Sequence, residues 1–190
     1  MSGGFDIYVA GVGGQGIGLL SEALIRAVDY AGYVVKGCDT HGLAQRGGSV
    51  SSHIRIGAEA HSPLVSEGRA DLVVALERHE AVSAGRAYLR EGGTLLWLDS
   101  TWQPLAVRLG GARSAEVADV EEAASLRGGR AARVAPVAAV DPRSHNVVVL
   151  AEICALGLVP GLRLEHARSA LADLLGGAAL ASSLALLADR

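Results

Sequence analysis

Two short segments carry the residues best suited to chemistry. Gly11-Val-Gly-Gly-Gln-Gly16 sets Gly11, Gly13 and Gly16 at the spacing G-x-G-x-x-G, with Gly14 and Gln15 inside it. Glycines so spaced between a strand and a helix let backbone amides at the helix N-terminus approach an anion such as a phosphate. The same glycines can serve a sharp turn and nothing more. The second segment is His41-Gly-Leu-Ala-Gln-Arg-Gly-Gly-Ser49. There Gln45, Arg46 and the flexible pair Gly47-Gly48 supply an amide, a guanidinium and an open backbone, a set suited to a carboxylate or phosphate, although a plain turn can hold the same residues.

Other reactive side chains are scattered. Asp71, Glu77 and Glu80 are carboxylates without the spacing of a metal site, and charged residues at helix starts are normally solvated. His79 and His145 lack ligand spacing, His61 beside Pro63 reads as a loop residue, and no Ser-His-Asp order is persuasive. Cys38 and Cys154 are too few for a disulfide scaffold, a four-thiolate zinc site or an iron–sulfur cluster. A nicotinamide site wants an acid about 20 residues beyond the glycines, and Asp39, just past the expected second strand, is an approximate candidate.

The elements that must position these groups follow from periodicity. Asp6-Ile-Tyr-Val-Ala10 reads as a strand, and apolar residues at Ile17, Leu20, Leu24, Ala27, Val28 and Ala31 mark one helix face. Tyr33-Val-Val-Lys36 reads as a second strand, making a βαβ unit with parallel strands. From Ser49 the chain alternates, with Ser49, Ser51, His53 and Arg55 on one side and Val50, Ser52, Ile54 and Ile56 on the other, a strand with one polar face. Ala70–Ala75 and Gly93–Leu98 are further strands, with a helix from Leu76 toward Tyr88 between them. Gly110–Arg133 reads as loops around a short helix, with Arg127, Arg130 and Arg133 on a solvated surface rather than in a patch for an anionic ligand. Asn146–Leu158, Leu164–Leu175 and Ala178–Ala188 carry apolar stripes that can cover the sheet or join a neighbour, which leaves a homodimer open. The fold class is α/β, with a helical C-terminal part from about residue 146.

Composition sets the bounds. The 190 residues are 50% hydrophobic and 19% charged, enough for a core and too apolar for a disordered chain. Seventeen Lys and Arg against twenty Asp and Glu leave a net charge of −3, so no positive field draws nucleic acid or an anionic membrane. The C-terminal uncharged stretch, Leu174–Ala188, is too short to span a bilayer, and the N-terminus has no signal-peptide pattern, so the expected location is the cytoplasm.

Together, the two glycine-bearing segments, continued by Ser51-Ser-His-Ile-Arg55, resemble the γ subunit or domain of 2-oxoacid:ferredoxin oxidoreductases, and most closely the indolepyruvate branch. The resemblance covers most of the chain, more weakly through Asn146-Val-Val-Val-Leu150, and its specific part is the first sixty residues. It implies a single Rossmann-like, three-layer γ-type domain over residues 1–190 with a mostly parallel sheet. It further implies assembly with a larger catalytic subunit holding thiamine diphosphate and iron–sulfur clusters, with electrons leaving to ferredoxin and the acyl group passing to coenzyme A. This chain would hold none of these cofactors alone and be inactive in isolation. By position, Gly11, Gly13, Gly14, Gln15 and Gly16 become a coenzyme A or phosphate loop. His41, Gln45, Arg46, Gly47, Gly48 and Ser49 become a subunit contact or acyl-acceptor entrance. Val134–His145 is shorter than the usual approach to the Asn-containing helix. A stand-alone NAD or adenine-nucleotide sensor and a purely structural subunit are the competing readings.

Overall fold

The computed structural model describes residues 4–41, 48–102, 105–138 and 140–188. These form one six-stranded sheet in the order β2-β3-β1-β4-β5-β6. The strands are β1 (Phe5–Val12), β2 (Val35–His41), β3 (Ser49–Ile56), β4 (Ala70–Ala75), β5 (Leu89–Leu98) and β6 (Arg130–Val134). β1, β4, β5 and β6 pair in parallel, while β3 is antiparallel to both neighbours, β1 and β2. The sheet is therefore mixed and mostly parallel, with β3 alone running against the rest.

Alternation along the strands sorts the core into two layers. Ile7 and Val9 of β1, Leu72 and Val74 of β4, and Leu96 and Leu98 of β5 face one side. Covering them are α1 (Ile17–Tyr30), α5 (His145–Ala155), α6 (Leu164–Leu174) and α7 (Gly177–Ala188). Tyr8, Ala10, Val73, Ala75, Leu95 and Trp97 face the other side, under α2 (Arg78–Tyr88) and α4 (Val117–Ser125). α3 is the short helix Leu105–Arg108. Helices on both faces of a mostly parallel sheet make the expected α/β three-layer arrangement. From Leu72 to Ala75, β4 is buried on both faces, which explains the apolar run there.

Three sequence expectations are corrected. β1 and β2 do point the same way, but they are not neighbours, because β3 is inserted antiparallel between them. β2 also runs to His41 rather than ending near Lys36, so Asp39 lies inside the strand. Pairing with β3 from Val35–Ile56 to His41–Val50 overrides the weak strand propensity of Gly37 and Asp39. Residues 110–133 are more than loops around a helix, since Arg130–Val134 adds a sixth strand to the edge of β5. Arg130 and Arg133 on this edge strand read as polar surface in sequence.

Candidate active-site turn and cavity

The glycine turn sits where the strand order reverses. From β1 the chain passes over one face through α1 to β2 and β3, whereas from β4 it passes over the other face through α2 to β5. The carboxyl ends of β1 and β4 therefore diverge, leaving a crevice of the kind in which open α/β sheets bind ligands. A cavity of about 490 Å³ opens there. Gly13, Gly14 and Gln15 line it after β1, Leu76 after β4, Leu98 at the end of β5 with Ser100, Thr101 and Trp102 beyond it, Pro136 after β6, and Pro142, Arg143 and His145 at the start of α5. Its walls are mainly apolar, Trp102 is half exposed at the rim, and Arg143 supplies a cation largely in solvent.

The turn is pinned at several points. Gly14 and Gly16 have φ of 105° and 79°, conformations that side chains rarely adopt. Gly16 forms the N-terminal boundary of α1 and supplies no side-chain cap to it. Gln15 Oε1 accepts from Val12 N–H at 2.8 Å, and its Nε2 donates to Leu76 O at 3.2 Å, bridging the ends of β1 and β4. Gln15 thus uses both ends of its amide to brace the turn. Gly13 N–H donates to Gly48 O at 2.9 Å, and Asn146 Nδ2 donates to Gly16 O at 3.1 Å. The two glycine-bearing segments picked from sequence therefore meet at Gly13 and Gly48, and Val12 opposes Ser49 in the ladder.

Beside this junction lies a carboxylate pair. Ser49 Oγ donates to Glu80 Oε2 at 2.8 Å. Glu77 Oε1 accepts from Glu80 N–H and caps α2. Contrary to the expectation of a solvated helix start, Glu77 is 1% exposed, and its Oε2 makes no hydrogen bond to the described residues. Burial pushes the Glu77 carboxyl above its ordinary pKa, against the opposing pull of backbone N–H groups of His79, Glu80 and Trp102. Burial likewise raises Glu80, with the charge of Glu77 adding to it. Sequence reading misses this because only tertiary packing closes water away from the end of β4.

The polar face expected on β3 is only partly polar. His53 is buried, with its ring edge-on to Tyr8 at 5.0 Å, and Tyr8 stacks on Tyr88 at 3.7 Å. Val65 N–H donates to His53 Nδ1, while burial pulls the His53 pKa down, so the ring is held neutral. Burial pushes Tyr8 up to about 12, so its hydroxyl stays protonated at neutral pH. This constellation is structural packing around β1, β3 and α2.

The remaining candidates fall as follows. Gln45, Arg46 and Gly47 lie outside the described residues, as does the side chain of His41. Asp39 accepts from Ser21 and Ser52 hydroxyls beneath α1, and β3 separates it from the glycine turn, so it does not stand where a ribose-binding acid would. Asp71 is tied to Arg90 and to Asp6 N–H at the opposite end of the sheet. Among the described residues no group of three or more His, Cys, Asp or Glu converges as a metal site, and no helix is long and apolar enough to cross a membrane. Sequence reading did not single out Trp102, Pro136, Pro142 or Arg143, whose shared role exists only once four strand ends converge.

Comparison with known proteins agrees with this geometry. The chain is 51% identical over 77 residues to the indolepyruvate oxidoreductase subunit IorB of Archaeoglobus fulgidus, covering 40% of this chain and 38% of the relative. It is 36% identical over 106 residues to the IorB subunit of Thermococcus kodakarensis, covering 56% and 52%. These matches span roughly two fifths to one half of the relatives' length. The fold matches the pyruvate oxidoreductase subunit PORC of Thermotoga maritima with a TM-score of 0.61 at 22% identity, over 97% of this chain and 92% of that one. It also matches the 2-oxoglutarate:ferredoxin oxidoreductase of Magnetococcus marinus, solved with 2-oxoglutarate, coenzyme A and succinyl-CoA, with a TM-score of 0.68 at 19% identity over 98% of this chain and 30% of that one. Residues 6–188 match the family described as pyruvate ferredoxin/flavodoxin oxidoreductase. With the fold and residues 6–188 in agreement, the chain belongs to the pyruvate ferredoxin/flavodoxin oxidoreductase family.

Proposed function

We propose that this chain is the γ-type subunit of a 2-oxoacid:ferredoxin oxidoreductase acting on indolepyruvate, and that its glycine turn and cavity form part of the site for the acyl acceptor, coenzyme A. The observation that carries the reading is the turn Gly13–Gly16 opening into a cavity of about 490 Å³ at the carboxyl ends of β1 and β4. An uncapped helix start suits an anionic phosphate. The apolar walls, with the Trp102 indole at the rim, suit a planar ring. Coenzyme A carries both groups.

The two cysteines of this chain, Cys38 and Cys154, are not a cluster ligand set, and burial pushes the Cys154 thiol up to about 12. Iron–sulfur clusters are therefore assigned to a larger partner, and the family resemblance assigns thiamine diphosphate to that same partner. That partner decarboxylates the 2-oxoacid, passes the released electrons to ferredoxin and hands the acyl group to the coenzyme A thiol. The choice of indolepyruvate is supported by the named relatives.

The test is anaerobic capture of the tagged chain from its native cells, followed by reconstitution. Recovery of a thiamine- and cluster-bearing subunit, with indolepyruvate-dependent ferredoxin reduction that requires this chain and coenzyme A, supports the reading. A solitary chain, or a complex whose activity is indifferent to this subunit, refutes it.

A further inference from the structure

Resting on the coenzyme A reading above, we propose that Asn146 is a positioning residue that locks the glycine turn to the opposite wall of the cavity and so sets the affinity for the acyl acceptor. Asn146 is 1% exposed and opens α5, next to Pro142, Arg143 and His145 of the cavity wall. Its Nδ2 donates to Gly16 O at 3.1 Å, and its Oδ1 accepts from Val147 N–H at 2.8 Å. A Cβ at residue 16 would collide with this amide, so the glycine makes room for the lock.

The other described braces of the turn come from the near side of the cavity. Gln15 bridges to Leu76 at the end of β4, and Gly13 holds Gly48 at the start of β3. Asn146 is the most distant of them in sequence, 130 residues from Gly16 against 61 between Gln15 and Leu76, and it stands on the far wall's helix. That wall is itself braced, because Val137 N–H donates to His145 Nε2, and His145 Nδ1 contacts Pro142 O at 3.2 Å. With Val137 donating to Nε2, Nδ1 carries the proton and donates to Pro142 O. One buried amide thus adds a directional polar tie to the apolar packing of α1 against α5. Losing it leaves both helices folded while letting their spacing drift, and small displacements of a binding wall weaken ligand capture strongly.

Asn146→Asp separates this role from a general packing role. The carboxylate keeps the acceptor for Val147 N–H and suits a helix start, but it faces Gly16 O without a proton to donate. When protonated it regains the donor, and burial against a carbonyl favours that form. In the reconstituted complex the variant should raise the KM for coenzyme A about tenfold at pH 8, with kcat within twofold, and the KM should return toward the wild-type value at pH 6. Electron release from the 2-oxoacid without coenzyme A should be unchanged. Trp102→Ala, on the same cavity, serves as the control for the site. If Trp102→Ala raises the coenzyme A KM and Asn146→Asp does not, or raises it equally at both pH values, the positioning role is wrong and the site stands. If neither variant moves it, the coenzyme A reading is wrong and this inference goes with it. Should Asn146→Asp fail to assemble, Asn146→Ser, whose shorter hydroxyl cannot span to Gly16, is read for the same KM increase, and an unchanged KM overturns the proposal.

Discussion

At the scale of single residues, the glycine turn and the buried carboxylates make the sharpest predictions. Gly16 has φ of 79° with Asn146 against the place a Cβ would take. Gly16→Ala therefore meets both a left-handed backbone cost and a collision, and about 2 kcal/mol or more of stability should be lost in urea unfolding. Glu77 is an acid whose pKa is raised on folding by burial. The folded state then holds its proton more tightly than the unfolded state, so this group weakens the fold as pH climbs from about 4.5, its ordinary value, through the raised one. Glu77→Gln keeps an acceptor for Glu80 N–H and removes the charge. Its stability relative to wild type should grow between pH 4.5 and 7 in paired denaturation curves, and a difference independent of pH would sink the explanation.

At the scale of elements, packing decides how much each helix and strand matters. Leu24 is fully buried on α1, beneath the sheet edge formed by β2 and β3. Leu24→Ala should cost about 2–5 kcal/mol, measured by the same unfolding curves, because the close-packed site cannot collapse around the loss. Gly37 of β2 lies against Ile25 of α1 so closely that a Cβ would collide with the Ile25 side chain. Strand and helix are therefore legible as separate segments, but their contact distance is not. β3 and β6 show the same division. The alternation of β3 marks a strand, yet nothing in it says that the strand enters between β1 and β2, and the arginines of β6 hide an edge strand that β5 recruits.

At the scale of the whole molecule, the crevice at the strand ends is the feature from which function is argued. In the reconstituted complex, saturating coenzyme A should slow hydrogen exchange of the amides of 13–15, 100–102, 143 and 145 together, since these residues line one cavity from three parts of the chain. Protection confined to one of these segments, or absent from all, would count against a shared site. His79 and Arg113, on the α2 and α4 side, should show no change. His79 Nε2 accepts from Ala115 N–H and Arg113 pairs with Asp119, both far in sequence from the turn and outside the cavity.

The sequence by itself determined the α/β class, the glycine turn between β1 and α1, the apolar stripe of α1 and the three C-terminal helices. Each is set by local periodicity or by a backbone conformation that only glycine tolerates. It also carried the family resemblance through the segments at 11–16 and 41–49, which the fold brings together at Gly13 and Gly48. Only the tertiary structure decided the order of the strands, the burial of Glu77 and His53, the bracing of Gln15, and the meeting of Trp102, Pro136 and Arg143 around one cavity. These depend on contacts between residues far apart in the chain, where burial and pairing override local preference, and no spacing along the sequence records them.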